Sequence, residues 1–139
     1  MLRRCTLIAA AIFACATVSV LARQAPTTGW NIPPNAAQET NPVAGDAQAI
    51  SEGKQLFGKN CQHCHGPGGK GDGPDANPDL QEDMDLTLAE RAARNPDGVV
   101  FYKAWNGRAK PKMPAFSEKL SKDDVWKIVA YVETLRDKQ

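Results

Sequence analysis

The chain has few of the residues that usually build a strong core or a metal cluster. Its 139 residues include four Cys, two His and 6 % aromatics. A small domain this poor in aromatics buries a modest core and often needs a metal, a disulfide or a cofactor to complete it. Charge of one sign is not in excess, since the formal net charge is +1. That balance argues against a non-specific nucleic-acid binder. No internal repeat is visible, and no convincing alternating strand pattern. Apart from one stretch near the N-terminus, no long uncharged apolar run occurs. Hydrophobic content of 42 % and charged content of 24 % are ordinary for a globular chain.

The exception is residues 5–22. Arg3 and Arg4 precede an uncharged run of Leu, Ile, Ala, Phe and Val that ends in Val20-Leu21-Ala22. This reads as a secretory signal peptide cleaved after Ala22. Two alternatives stay open. The run is near the lower length limit for a bilayer span, so it could serve as an uncleaved anchor. A lipoprotein modified at Cys15 fits less well, because bulky Phe13 stands where a small residue is preferred. Cleavage would remove two arginines and no acid, leaving 15 basic and 16 acidic residues. It would also remove Cys5 and Cys15, so that Cys61 and Cys64 remain.

Residues 23–45 hold Pro26, Pro33, Pro34 and Pro42 and show no apolar period, which predicts an extended arm. Trp30 stands out in it, as a residue for local packing or for a partner. From Asp46 the pattern is helical: Ile50, Gly53, Lys54 and Phe57 share a face, and Leu56 widens it. That helix is predicted over 46–60, leading into Cys61. Residues 66–79 are too rich in Gly and Pro for a regular element. Thr87 and Glu90 read as a capping box for a helix over 88–94. Asn95 reads as the cap of the next helix, with Pro96 in its first position and Gly107 closing it. That helix carries Val99, Val100, Phe101, Ala104 and Trp105. A loop over 108–120 follows. Ser121 then caps a helix whose Val125, Ile128, Val129, Val132 and Leu135 form an apolar stripe. The predicted domain, 46–139, is all-α with long loops.

Residues 61–65 read Cys-Gln-His-Cys-His, the C-x-x-C-H pattern of covalent haem c attachment. Two thiols three residues apart can reach the two vinyl groups on one porphyrin edge, and His65 then falls where it can ligate the iron. A zinc site would need a second ligand pair, and His63 and His65 are the only histidines. A thioredoxin-like redox pair would need an α/β context. A plain disulfide leaves His65 without a role.

A low-spin carrier needs a sixth ligand, and a thioether favours ferrous iron and raises the potential. Met113 lies in Lys110-Pro111-Lys112-Met113-Pro114, where two prolines stiffen the loop. Met84 is the alternative. Its neighbours Glu82, Asp83 and Asp85 make burial against a porphyrin costly.

A helix into C-x-x-C-H, a Gly- and Pro-rich loop, a middle helix, a Met-Pro loop and a C-terminal helix together resemble class I cytochrome c over residues 46–139. The resemblance implies the small cytochrome c fold, with the N- and C-terminal helices crossing near Gly53, Phe57, Ile128 and Tyr131. It implies that the Pro74 carbonyl accepts the haem histidine N–H, and that Tyr102, Trp105 and Arg108 lie near the haem propionates. The Gly-x-Gly-Asp-Gly-Pro run at 69–74 and the Pro-rich arm are similar to cytochromes that serve periplasmic quinoprotein alcohol dehydrogenases. On that likeness the chain is a periplasmic electron carrier with one haem c. It would work between a dehydrogenase donor and a respiratory acceptor such as a terminal oxidase.

Charge is segregated. Residues 72–90 carry seven acids and no base, while 103–122 carry Lys103, Arg108, Lys110, Lys112, Lys119 and Lys122 against Glu118. Basic residues around Met113 would steer an acidic redox partner, unless the surface mixes the charges. The acidic stretch has no role readable from sequence. Electron transfer without catalysis is the leading function. A peroxidase or gas-binding protein would need an open iron site and a distal polar group. The chain could act as a monomer or as a subunit of a dehydrogenase complex docked through the arm.

Overall fold

The structure, a computed structural model, describes residues 29–136. The expected signal segment 1–22 lies outside the described residues. Six helices follow in order: α1 (Ala47–Asn60), α2 (Gln62–His65), α3 (Gln81–Met84), α4 (Ala89–Arg94), α5 (Asp97–Asn106) and α6 (Lys122–Arg136). Short 3-10 turns occupy Ala36–Gln38 and Pro78–Leu80. Among the described residues there is no strand, only isolated bridges pairing Lys70 with Asp85 and Arg108 with Met113. No helix among them is long and apolar enough to cross a membrane. The fold is the expected all-α class.

α1 starts at Asp46, whose carboxylate accepts the Ala49 N–H at 2.6 Å. It crosses α6 at Gly53. A Cβ on Gly53 would lie 1.9 Å from the Lys127 carbonyl oxygen, so the two backbones touch there and any side chain would have to push them apart. Phe57 and Tyr131 meet edge-to-face beside the crossing, with centroids 5.3 Å apart. The expected crossing at Gly53, Phe57, Ile128 and Tyr131 is therefore present.

The apolar stripe of α6 serves two clusters. Ile128, Tyr131, Val132 and Leu135 join Phe57. Val125 and Val129 join Phe101, Ala104 and Phe116. Each fully buried side chain of this kind contributes about 1.5–3 kcal/mol relative to exposure, so α6 links both halves of the core. Its start is a capping box: Ser121 Oγ accepts the Asp124 N–H at 3.1 Å, and Asp124 Oδ2 accepts the Ser121 N–H at 3.2 Å.

Two expected caps are replaced. Leu88, not Thr87, precedes α4. Thr87 instead donates its N–H and hydroxyl to Asp85 Oδ1, at 2.8 and 2.7 Å. α5 starts one residue later than expected, with Pro96 at the cap. Asn95 is diverted: its amide donates to the Arg91 carbonyl at 2.6 Å and its oxygen accepts from Lys103 Nζ. Local polar partners outcompeted the cap in both places.

Residues 29–45 differ most from expectation. They do not extend away as a bare arm but lie against α5 and α6. Ala36 is 2 % exposed. Gly98 of α5 sits so close that a Cβ there would lie 2.0 Å from the Ala36 carbonyl oxygen. The buried Asn41 donates to the Trp126 carbonyl at 3.0 Å.

Candidate functional site

α1 leads directly into α2, which carries Cys61 at its cap and Cys64 and His65 in its single turn. The Cys64 and His65 amides donate back to the Cys61 carbonyl, at 3.3 and 3.0 Å. This turn brings both thiols and the imidazole onto one wall. The thiols are free and half-buried. Burial, with the neighbouring Cys64, pushes the Cys61 thiol up to about 12. Burial therefore keeps Cys61 as the neutral thiol. Among the described residues no group of three or more His, Cys, Asp or Glu could hold a metal ion.

His65 Nδ1 lies 2.7 Å from the Met84 carbonyl oxygen. A carbonyl only accepts, so Nδ1 carries the proton and Nε2 keeps its lone pair for a metal. Burial holds the His65 pKa below the ordinary imidazole value. Burial and the nearby Arg91 favour the neutral imidazole, against the pull of the Met84 carbonyl, while that carbonyl selects the Nδ1–H tautomer. The expected partner of this N–H, the Pro74 carbonyl, is displaced. The loop around Pro74 folds back onto α2 instead, with the Gly73 N–H donating to the Cys64 carbonyl at 3.3 Å and the Asp75 N–H to the His63 carbonyl at 2.8 Å. The acidic stretch brings in Met84, and Arg91 fastens it there. Arg91 donates to the Asp83 carboxylate at 3.0 Å and to the Asp83 carbonyl at 2.9 Å.

Opposite, the loop after α5 carries Met113. Gly107 ends α5 with φ +62, and a Cβ on it would lie 2.5 Å from the Met113 carbonyl oxygen. Only glycine allows both that dihedral and that approach. Arg108 and Met113 then exchange two backbone hydrogen bonds of 2.9 Å. The half-buried Met113 side chain packs on the Phe101–Phe116 cluster. Met113 is thus held by its backbone and by its side chain.

One cavity of about 540 Å³ is lined at once by Cys61, Cys64, His65, Met84 and Met113. Its walls include Phe57, Leu86, Val100, Ala104, Ile128 and Val132. It is also lined by Arg91, Lys103, Arg108 and Arg136. The Nε of Arg136 is buried with no hydrogen-bond partner among the described residues. Haem is an apolar macrocycle with two carboxylates. Apolar walls, several cations, an imidazole and two thiols fit it chemically.

Of the sequence-predicted site residues, Cys61, Cys64, His65, Met113 and Arg108 line this cavity. Tyr102 and Trp105 do not. On α5 the residues facing the cavity are Val100, Lys103 and Ala104. Trp105, turned away from them, stacks on Phe101 at 5.8 Å. Arg91, Arg136 and Trp30 were not expected here. They arrive from α4, α6 and the 29–45 segment, and no local motif marks them.

The family profile described as "Cytochrome c" matches residues 50–136. The chain is 31 % identical over 91 residues to FixP of Azorhizobium caulinodans, a subunit of a cbb3-type cytochrome c oxidase. That match takes in 66 % of this chain, which spans only 29 % of the length of FixP. A solved c-type cytochrome, KustC0563, is 28 % identical, with 60 % of this chain and 96 % of that one covered, at a TM-score of 0.49.

Proposed function

The chain belongs to the cytochrome c family, and from that premise we propose that it is a periplasmic electron carrier passing electrons from a dehydrogenase to a respiratory acceptor. Membership implies covalently bound haem c and haem-based electron transfer. The haem supplies a one-electron Fe(III)/Fe(II) couple when bound. The protein's residues do the rest in this proposal. Cys61 and Cys64 would tether the ring, His65 and Met113 would ligate the iron, and the Met84 carbonyl would orient His65. One observation carries the reading: Cys61, Cys64, His65 and Met113, spread over 53 positions of sequence, line a single cavity.

The finer assignments rest on separate supports. The signal-like residues 5–22 support export, cleavage after Ala22 and a periplasmic location. The 69–74 run supports a quinoprotein alcohol dehydrogenase as donor. Likeness to an oxidase subunit supports an oxidase as acceptor. Lys110, Lys112, Lys119 and Lys122 are exposed around the Met113 loop, which supports an acidic partner docking there.

The test is stopped-flow reduction of the ferric protein by a purified quinoprotein alcohol dehydrogenase. A fast reduction that slows as salt shrinks the Debye length from about 30 Å to about 3 Å supports the proposal. Reduction that is slow, or indifferent to salt, contradicts the donor and the docking face.

A further inference from the structure

We infer that residues 29–45 are a strap that closes one end of the haem cavity, with Trp30 as the positioning residue that holds Arg108 and Lys103 for the haem carboxylates. The inference rests on the reading of the cavity as the haem site. Trp30 lines that cavity. The Arg108 guanidinium carbon lies 4.6 Å from the centre of its ring, and Lys103 Nζ lies 5.2 Å from it. Two cations on one indole place a cation–π contact on each of two cavity-lining residues.

The strap is built to hold this place. Gly29 abuts the Met113 loop: a Cβ on it would lie 2.7 Å from the Lys110 carbonyl oxygen. Further along, Ala36 is buried against Gly98 and Asn41 is tied to the Trp126 carbonyl. Trp30 is therefore fixed against the haem domain at positions before and after it.

Charge explains why the cavity wants an anion here. Lys103 is held down to about 8 by burial and by Arg91, Arg108 and Arg136, with Asp83 opposing. Charges this crowded repel one another strongly at low local dielectric. Asn95 gives Lys103 a neutral partner only. The two carboxylates of haem supply the compensating charge. Without Trp30 the long Arg108 and Lys103 side chains can swing outward to water and gain back rotamer freedom. Cations kept near the iron disfavour Fe(III), so losing them lowers the reduction potential.

The test uses holoprotein matured with haem, with covalent haem counted first and the potential then measured by spectroelectrochemistry. Wild-type chain without covalent haem overturns the cavity reading, and the strap with it. With haem in place, Trp30→Leu, which fills space but has no aromatic face, lowers the potential and keeps the Met–iron band. Trp30→Phe restores most of the shift. In an Arg108→Gln background the Trp30→Leu shift falls to half or less, because Trp30 acts through Arg108. An unchanged potential in Trp30→Leu, loss of the Met–iron band, or a shift more than half retained beside Arg108→Gln each overturns the inference and leaves Trp30 a filler.

Discussion

His65 Nδ1 and the Met84 carbonyl oxygen are 2.7 Å apart across 19 residues of sequence. This contact gives the acidic stretch a purpose. Residues 81–86 lie beside His65, and Leu86 is tied back by its N–H to the Gly69 carbonyl at 2.7 Å. The acids themselves fasten the segment: Asp83 to Arg91, and Asp85 to Thr87. Met84 thus meets His65 through its backbone, while the proposed side-chain ligand is Met113.

The Arg91–Asp83 clamp is therefore expected to control how well that proton is protected. Losing a charge-assisted hydrogen bond of about 1.5 kcal/mol corresponds to roughly tenfold. In Arg91→Ala holoprotein, NMR should show the His65 Nδ1 proton exchanging with water about tenfold faster. Exchange at the wild-type rate would mean that the segment is held without Arg91.

Legibility in the sequence followed the range of each interaction. Cys61, Cys64 and His65 were legible because the whole C-x-x-C-H pattern sits within one helical turn. The place of Met113 at the cavity was legible through its flanking prolines, and α6 through its stripe. The His65 acceptor was not, because a backbone carbonyl can come from any residue and the sequence marks Met84 only by its sulfur. Asn95 misled for a related reason: it satisfies cap rules but finds Arg91 and Lys103 first. Trp30 and Arg136 enter the cavity from elements far from the motif, which only the folded chain reveals.

At the α1–α6 crossing, two effects oppose each other when Gly53 is replaced. A larger residue gains up to about 1 kcal/mol in helix propensity. Against this, a Cβ 1.9 Å from the Lys127 carbonyl oxygen must push two backbones apart, at about 3 kcal/mol for a branched side chain. Overlap wins, and Gly53→Val should lower denaturant stability by about 2–3 kcal/mol. An unchanged midpoint would show that the helices can separate freely.

The cap of α6 carries a pH signature. The Ser121 side chain, followed by its backbone N–H, holds the Asp124 carboxyl below its ordinary value of 3.8. A depressed carboxyl contributes stability that is present above 3.8 and is lost as pH falls through the folded value. Ser121→Ala should cost about 1 kcal/mol at neutral pH, as lost caps do. The gap from wild type should narrow in unfolding measurements below about pH 3.8. A gap that stays constant into acid would mean that the Ser121–Asp124 pair does not form in solution.

Whether His65 and Met113 both ligate the iron, as proposed, is read from one absorption experiment. Matured protein is recorded ferric, ferrous, and ferrous under carbon monoxide, for wild type, Met113→Ala and Met84→Ala. A low-spin spectrum with a Met–iron charge-transfer band, unmoved by carbon monoxide, is expected. That band should be lost in Met113→Ala and kept in Met84→Ala. The potential of Met113→Ala should fall by a sizeable part of the roughly 0.8 V that axial ligation spans. A high-spin wild type that shifts with carbon monoxide, or a band lost in Met84→Ala instead, would contradict that ligation.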